Sequence, residues 1–139
     1  MTLRIEHFNR VLNTPGLLLA VRGWYELLCA NLIDPGAPAV GWDHRAIVAF
    51  DGDMPVGVLT WFDQEWTGTV QVALAYVMPE HRRRGVHTAL WEALKDKAVE
   101  LKRAAISSST HMRNTASRAS MSKQGRVEDG VYLRYEVKS

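Results

Sequence analysis

Apolar residues recur along the chain with two periods, and the points where the period changes predict the elements. Thr2 to Phe8 alternates, which predicts a first strand. After Pro15, the run Leu17-Leu18-Leu19-Ala20-Val21, continued by Trp24, Leu27 and Leu28, predicts a helix with the proline near its start. Asp34-Pro35-Gly36-Ala37-Pro38 is a turn-rich connection that leads into a sheet. Arg45 to Asp51 predicts a second strand, and Asp51-Gly52-Asp53 a hairpin turn. Pro55 to Phe62, carrying Val56, Val58, Leu59 and Trp61, is its partner. The polar stretch Asp63 to Gly68 turns the chain again, and Thr69 to Met78 predicts a long apolar strand. Three strands joined by short turns predict an antiparallel meander.

The period then switches within one loop. Val77-Met78-Pro79-Glu80-His81-Arg82-Arg83-Arg84-Gly85 ends the strand, and a helix follows with Val86, Leu90, Leu94, Ala98 and Leu101 on one face. Ala104 to Thr110 predicts a short strand, which makes a strand–helix–strand crossover. Arg113 to Lys123 predicts a polar helix. Gly125 to Val137 predicts a closing hairpin around Asp129-Gly130, with Val131, Leu133, Tyr135 and Val137 alternating. A basic turn between a strand and a helix is a candidate anion site. The first N–H groups of a helix lack partners inside it, and the helix dipole adds to their pull on negative charge. Glycine permits close backbone approach, and arginine supplies fixed charge.

Composition narrows the classes. The 139 residues are 47% hydrophobic and 23% charged, which predicts one packed domain and not a disordered chain. The formal net charge of +2 is too mild to imply nucleic acid by itself. Cys29 is the only cysteine, so disulfide frameworks and cysteine-rich zinc sites within one chain are excluded; its apolar surroundings predict burial. His44, His81 and His87 have no metal-site spacing, so no metal is expected. No apolar run reaches the ~20 residues of a membrane span, and the start of the chain lacks a signal-peptide core. A soluble cytoplasmic protein without a membrane partner is expected.

The string Val77-x-Pro79-x-x-Arg82-x-x-Gly85 resembles the acyl-CoA-binding motif of the GNAT superfamily of N-acyltransferases, V-x-P-x-x-[RQ]-x-x-G-x-[GA]. His87 departs from it, where the family usually has Gly or Ala. The order of elements is similar too, most closely from Arg45 to Gly125. Asn114 and Gly125 match an Asn at the start of the family's last helix and a Gly before its final strand. The resemblance implies an α/β fold: a single GNAT-like domain over residues 1–139, with a twisted mixed sheet containing an antiparallel meander flanked by helices. It implies transfer of an acetyl group from acetyl-CoA, as co-substrate, to a primary amine by direct attack in a ternary complex. The pantetheine arm would pair with the backbone of Tyr76, Val77 and Met78. The pyrophosphate would rest on Arg82, Arg83, Arg84, Gly85, Val86, His87 and Thr88. Asn114 would meet the pantetheine arm or shape the thiol end. A backbone N–H near Val77 would polarise the thioester carbonyl.

The acid–base groups do not carry over. Met121 stands where many members have a thiolate-protonating Tyr, Thr67 to Met78 holds no carboxylate, and Ser109 replaces another. The nearest catalytic candidates are Glu65 and His111, with ordered water as a third route. Structural roles compete with each. His111 also suits a helix cap, Glu65 a solvated turn, Tyr76 the core, and Trp61, Trp66 and Trp91 the core. Two other functions stay open. One is a non-catalytic relative that keeps the fold, favoured by Met121, His87 and the missing carboxylates. The other is a basic module in which Arg82, Arg83 and Arg84 join Arg103, Arg113, Arg118, Lys123 and Arg126 on nucleic acid or protein; the aromatics are not interleaved with these, which disfavours nucleic acid. A small-molecule or peptide amine is the expected acceptor, and a homodimer through the final strands is open.

Overall fold

In the computed structural model, which describes residues 1–33, 40–130 and 133–137, both periods of the sequence become a mixed sheet with a helix on each face. The strands are β1 (Leu3–Phe8), β2 (Arg45–Asp51), β3 (Met54–Gln64), β4 (Thr69–Val77) and β5 (Ala105–Ser108). They lie in the order β1-β2-β3-β4-β5, antiparallel up to β4 and parallel between β4 and β5. The helices are α1 (Gly16–Cys29), α2 (Val86–Glu100) and α3 (Thr115–Lys123). The chain divides into two compact units, Met1–Ser109 and Thr110–Ser139. The sheet, α1 and α2 belong to the first unit.

Strands covered on both faces must be apolar on both, which accounts for the continuous run in β2. Ala46, Val48 and Phe50 pack with Leu19 and Ala20 of α1; Ile47 and Ala49 pack with Leu90 and Leu94 of α2. Leu90 and Leu94 are fully buried, each contributing about 1.5–3 kcal/mol.

Small residues let α1 lie close to the sheet. Gly16, Ala20 and Gly23 recur at i, i+4 and i+7 on its buried face. A Cβ at Gly16 would stand 2.9 Å from a methyl of Val48 and one of Val58. A Cβ at Gly23 would stand 2.7 Å from the Cβ of Tyr76 in β4. On the other face, Gly57 of β3 lets the first turn of α2 settle, since a Cβ there would meet Val86 at 2.8 Å.

The expected burial of Cys29 does not hold; it is exposed. It lies about 220° around the helix from Gly16 at 100° per residue, off the buried stripe. Trp61 and Trp91 are buried as expected, but Trp66 is 80% exposed, because it sits in the 3-10 turn Glu65–Thr67 and not on a strand. The connection expected at Asp34 to Pro38 lies outside the described residues.

Arg103 ties the end of β3 to the approach to β5. It donates two bonds to Asp63, at 2.8 and 2.9 Å. The guanidinium holds the Asp63 carboxyl below its ordinary 3.8. A depressed carboxylate stabilises the fold above its unfolded pKa, and that contribution is lost as pH falls through the folded one. Asp63→Asn is therefore expected to unfold more easily than wild type at pH 7, with the gap closing below about pH 4. Denaturant titrations at pH 7 and pH 3 check this; a gap that stays constant would contradict it.

In the second unit, Asn114 caps α3, its Oδ1 accepting the Ser117 N–H at 3.1 Å. Gly125, at φ +81°, ends the helix: its N–H reaches Ser122 O and that of Arg126 reaches Met121 O. Among the described residues of the closing hairpin expected at Gly125 to Val137, no strand is formed. Residues 126–130 and 133–137 contain no strand, and Val131 lies outside the described residues. Alternation alone does not make a strand; the ladder needs a partner. Instead Arg118 of α3 grips Glu128 at 2.7 and 3.2 Å.

Candidate functional site

A break in the sheet creates the first feature of the site. β4 pairs with β5 only from Thr69 to Val72. At that point the β3–β4 register shifts: Thr60 faces Leu74, Trp61 faces Val72, and Ala73 is the extra residue. A bulge bends its strand and ends pairing. Leu74 to Val77 therefore stays paired with β3 on one side, while no strand among the described residues pairs with the other edge of Ala73 to Val77.

That edge leads directly into the basic turn. Met78 donates its N–H to Val56 O at 2.9 Å, Pro79–His81 forms one 3-10 turn, and α2 begins at Val86. Two residues wind the loop through left-handed conformations, Arg83 at φ +61° and Gly85 at φ +80°. The helix ladder starts with Ala89 N–H to Gly85 O at 3.0 Å, so the N–H groups of the first turn face out of the N-terminus.

The three arginines divide into two roles. Arg82 is committed to the protein. Its Nε donates to Val77 O at 2.9 Å, its terminal nitrogen donates to Glu26 of α1 at 3.0 and 3.3 Å, and its guanidinium lies 5.5 Å from the Tyr76 ring centre. Arg83 and Arg84 are exposed and make no ion pair among the described residues. His81 is buried beneath the loop, its Nε2 3.2 Å from Asp51 Oδ2. The Thr2 N–H, and then His81, hold the Asp51 carboxyl below its ordinary value. This pair pins the loop to the β2–β3 hairpin.

A surface cavity of about 520 Å³ lies between α1 and Tyr76. Val21, Trp24, Tyr25 and Cys29 form its apolar wall, and Arg22 and Glu26 bring charge to it. Sequence reasoning read Val21 and Trp24 as helix and Cys29 as buried, and named none of these α1 residues for a pocket. The signal was present: Val21, Tyr25 and Cys29 recur at i, i+4 and i+8, a second apolar stripe beyond the core-facing one.

Of the residues expected to act together, Tyr76, Val77, Met78 and Arg82 to Thr88 are contiguous along this edge and turn. Tyr76 and Val77 are buried, and Gly85 and Thr88 are exposed. Glu65 is not with them. It precedes β4, with the length of that strand, about 26 Å at 3.3 Å per residue, between Thr69 and Val77. His111 and Asn114 belong to the second unit, where the His111 ring accepts the Arg113 N–H at 3.1 Å. Among the described residues no cluster of His, Cys, Asp or Glu could hold a metal ion, and no helix is long and apolar enough to cross a membrane.

Several solved structures share this fold. An aminoglycoside acetyltransferase from an uncultured soil metagenomic sample is 22% identical, with a TM-score of 0.73, covering 99% of this chain and 100% of that one. A ribosomal-protein-alanine N-acetyltransferase from Brucella melitensis biovar Abortus 2308 is 19% identical, with a TM-score of 0.69 and coverage of 99% and 100%. An aminoglycoside N-acetyltransferase solved in complex with CoA is 18% identical, with a TM-score of 0.65 and coverage of 99% and 96%. No curated protein matches the chain. Residues 19–125 match the acetyltransferase (GNAT) family. That match spans most of the chain, which therefore belongs to the GNAT acetyltransferase family.

Proposed function

We propose that this chain is a CoA-dependent N-acetyltransferase that moves an acetyl group from acetyl-CoA to a primary amine by direct attack in a ternary complex. One observation carries the reading: the edge of Ala73–Val77, unpaired among the described residues, runs straight into a helix N-terminus flanked by Arg83 and Arg84. An extended strand edge offers alternating N–H and C=O groups to the amides of a pantetheine arm. The helix start at Gly85, Val86, His87 and Thr88 offers N–H groups to a pyrophosphate. Arg83 and Arg84 add free positive charge, while Arg82 holds the strand end against α1. The fold shared with an N-acetyltransferase solved with CoA supports the same assignment.

In the reaction, the neutral amine's lone pair attacks the thioester carbonyl carbon. A C–N bond forms, the C–S bond breaks, and the proton lost by the amine ends on the CoA thiol. A backbone N–H near Val77 steadies the oxyanion, and alignment of the two substrates supplies much of the rate. Of the proposed proton acceptors, Glu65 is set aside because it stands at the far end of β4, which leaves His111 and ordered water as proposals. Asn114 is assigned to the pantetheine arm through whichever amide group its cap leaves available. The whole chain, 1–139, acts as one acyltransferase domain in this reading; the family match crosses the boundary between the two units and supports that. A cytoplasmic location goes with it.

Calorimetric titration with acetyl-CoA tests the reading, with ATP as control. Saturable one-to-one binding of acetyl-CoA, much tighter than that of ATP, is expected. No binding by a folded sample would remove it. The lack of any carboxylate along β4 favours a second reading, a relative that binds CoA without turnover. Binding without acetyl transfer to any amine separates the two.

A further inference from the structure

We infer that the cavity between α1 and Tyr76 is the acceptor pocket, and that the acceptor is an amine with an aromatic or branched apolar body and a carboxylate, the chemistry of a free apolar α-amino acid. This rests on the acetyltransferase reading. Tyr76 joins the two sites: its backbone lies on the unpaired edge of β4, and its ring walls the cavity. A body held there sits beside the strand segment assigned to the thioester.

Size, lining and charge define the class. The cavity, about 520 Å³, falls within the roughly 300–1,000 Å³ of small-molecule pockets. Its wall of Trp24, Tyr25, Val21, Cys29 and Tyr76 suits an apolar side chain. Core packing does not account for Val21, Tyr25 and Cys29 in that wall, because α1 turns a different stripe to the core and leaves Tyr25 61% exposed. The one carboxylate at the cavity among the described residues, Glu26, is already held by Arg82. The other charged lining group, Arg22, makes no ion pair among the described residues. A polycation would meet a neutralised carboxylate and a like charge. An amine bearing a carboxylate would meet an unpaired guanidinium, whose fork matches it in two bonds. The nearby cations also favour the uncharged amine, the form that attacks. The amine nitrogen takes the acetyl carbon, sulfur leaves, and the proton passes to the released CoA, giving the N-acetyl amino acid and the free thiol.

The test measures acetyl-CoA-dependent release of thiol with L-phenylalanine, 2-phenylethylamine, spermidine and kanamycin, alongside an acetyl-CoA titration of the same sample. L-Phenylalanine is expected to exceed 2-phenylethylamine in kcat/KM by about 10-fold, and the two polycations by about 100-fold. Arg22→Gln should close the first gap. Tyr25→Ala should raise KM for L-phenylalanine about 10-fold, with acetyl-CoA affinity unchanged. Preference for spermidine or kanamycin overturns the inference, and so does equal use of L-phenylalanine and 2-phenylethylamine. If acetyl-CoA does not bind, the acetyltransferase reading fails instead. Quenching of tryptophan fluorescence by L-phenylalanine then decides the pocket: saturable quenching lost in Tyr25→Ala supports it, and no quenching overturns it.

Discussion

Gly85→Glu is expected to lower affinity for acetyl-CoA by at least about 100-fold, a loss of roughly 2.7 kcal/mol of binding free energy. Two effects combine. Gly85 holds φ +80° at the helix start, where any side chain strains the backbone by about 1 kcal/mol. The carboxylate would also stand at the helix N-terminus, in the place assigned to the pyrophosphate. No atom lies within 4 Å of a Cβ built there, so the substitution does not crowd the protein itself. Gly85→Ala separates the terms, since it keeps the strain and lacks the charge; it is expected to lose stability comparably and affinity far less. Calorimetry of both variants reads the difference. Unchanged binding by Gly85→Glu would falsify the placement of the phosphates.

Gly23→Leu is expected to lower stability by about 3 kcal/mol, a fall in Tm of about 10 °C for a domain of this size. A Cβ at Gly23 meets Tyr76 at its Cβ and Cγ, at 2.7 and 2.9 Å. The Tyr76 Cβ is fixed by the backbone, so no rotamer change relieves the clash and α1 must lift from the sheet. The same shift loosens Arg82, which spans both elements through Glu26 and Val77. Gly130→Leu is the control: a Cβ there meets nothing within 4 Å, and a change within about 0.5 kcal/mol is expected. Thermal melts of both compare them directly. A Gly23→Leu variant as stable as wild type would mean that α1 does not rest on Tyr76.

Most of the first unit was legible from periodicity. The strands at Arg45–Asp51 and Thr69–Val77 and the helix from Val86 fell within a residue or two of their expected limits. Their patterns are long and covered on both faces, so local and global preferences agree. The loop at Arg82–Gly85 was legible because its position between a strand and a helix already specifies a helix N-terminus. The separate role of Arg82 was not legible, since its partners Glu26 and Tyr76 are 56 and 6 residues away in sequence. The apolar wall of α1 was overlooked for a related reason. The run Leu17-Leu18-Leu19-Ala20-Val21 predicted a helix without saying which face meets the sheet, and the stripe that does is Gly16, Leu19, Ala20 and Gly23.

By itself, then, the sequence determined which segments are strand or helix as far as Ser108, because burial on two faces writes its period directly into residue order, and it also placed the polar helix that runs from Thr115 to Lys123. It also determined the motif at Val77–Gly85. Tertiary structure decided everything that depends on a partner distant in sequence. The bulge at Ala73 frees the edge of β4, because register is a property of two strands and not of one. With Gly23 against Tyr76, Val21, Tyr25 and Cys29 of α1 face outward into a cavity. The alternating residues near the end of the chain form no strand where they are described, because a ladder exists only where a second strand supplies it.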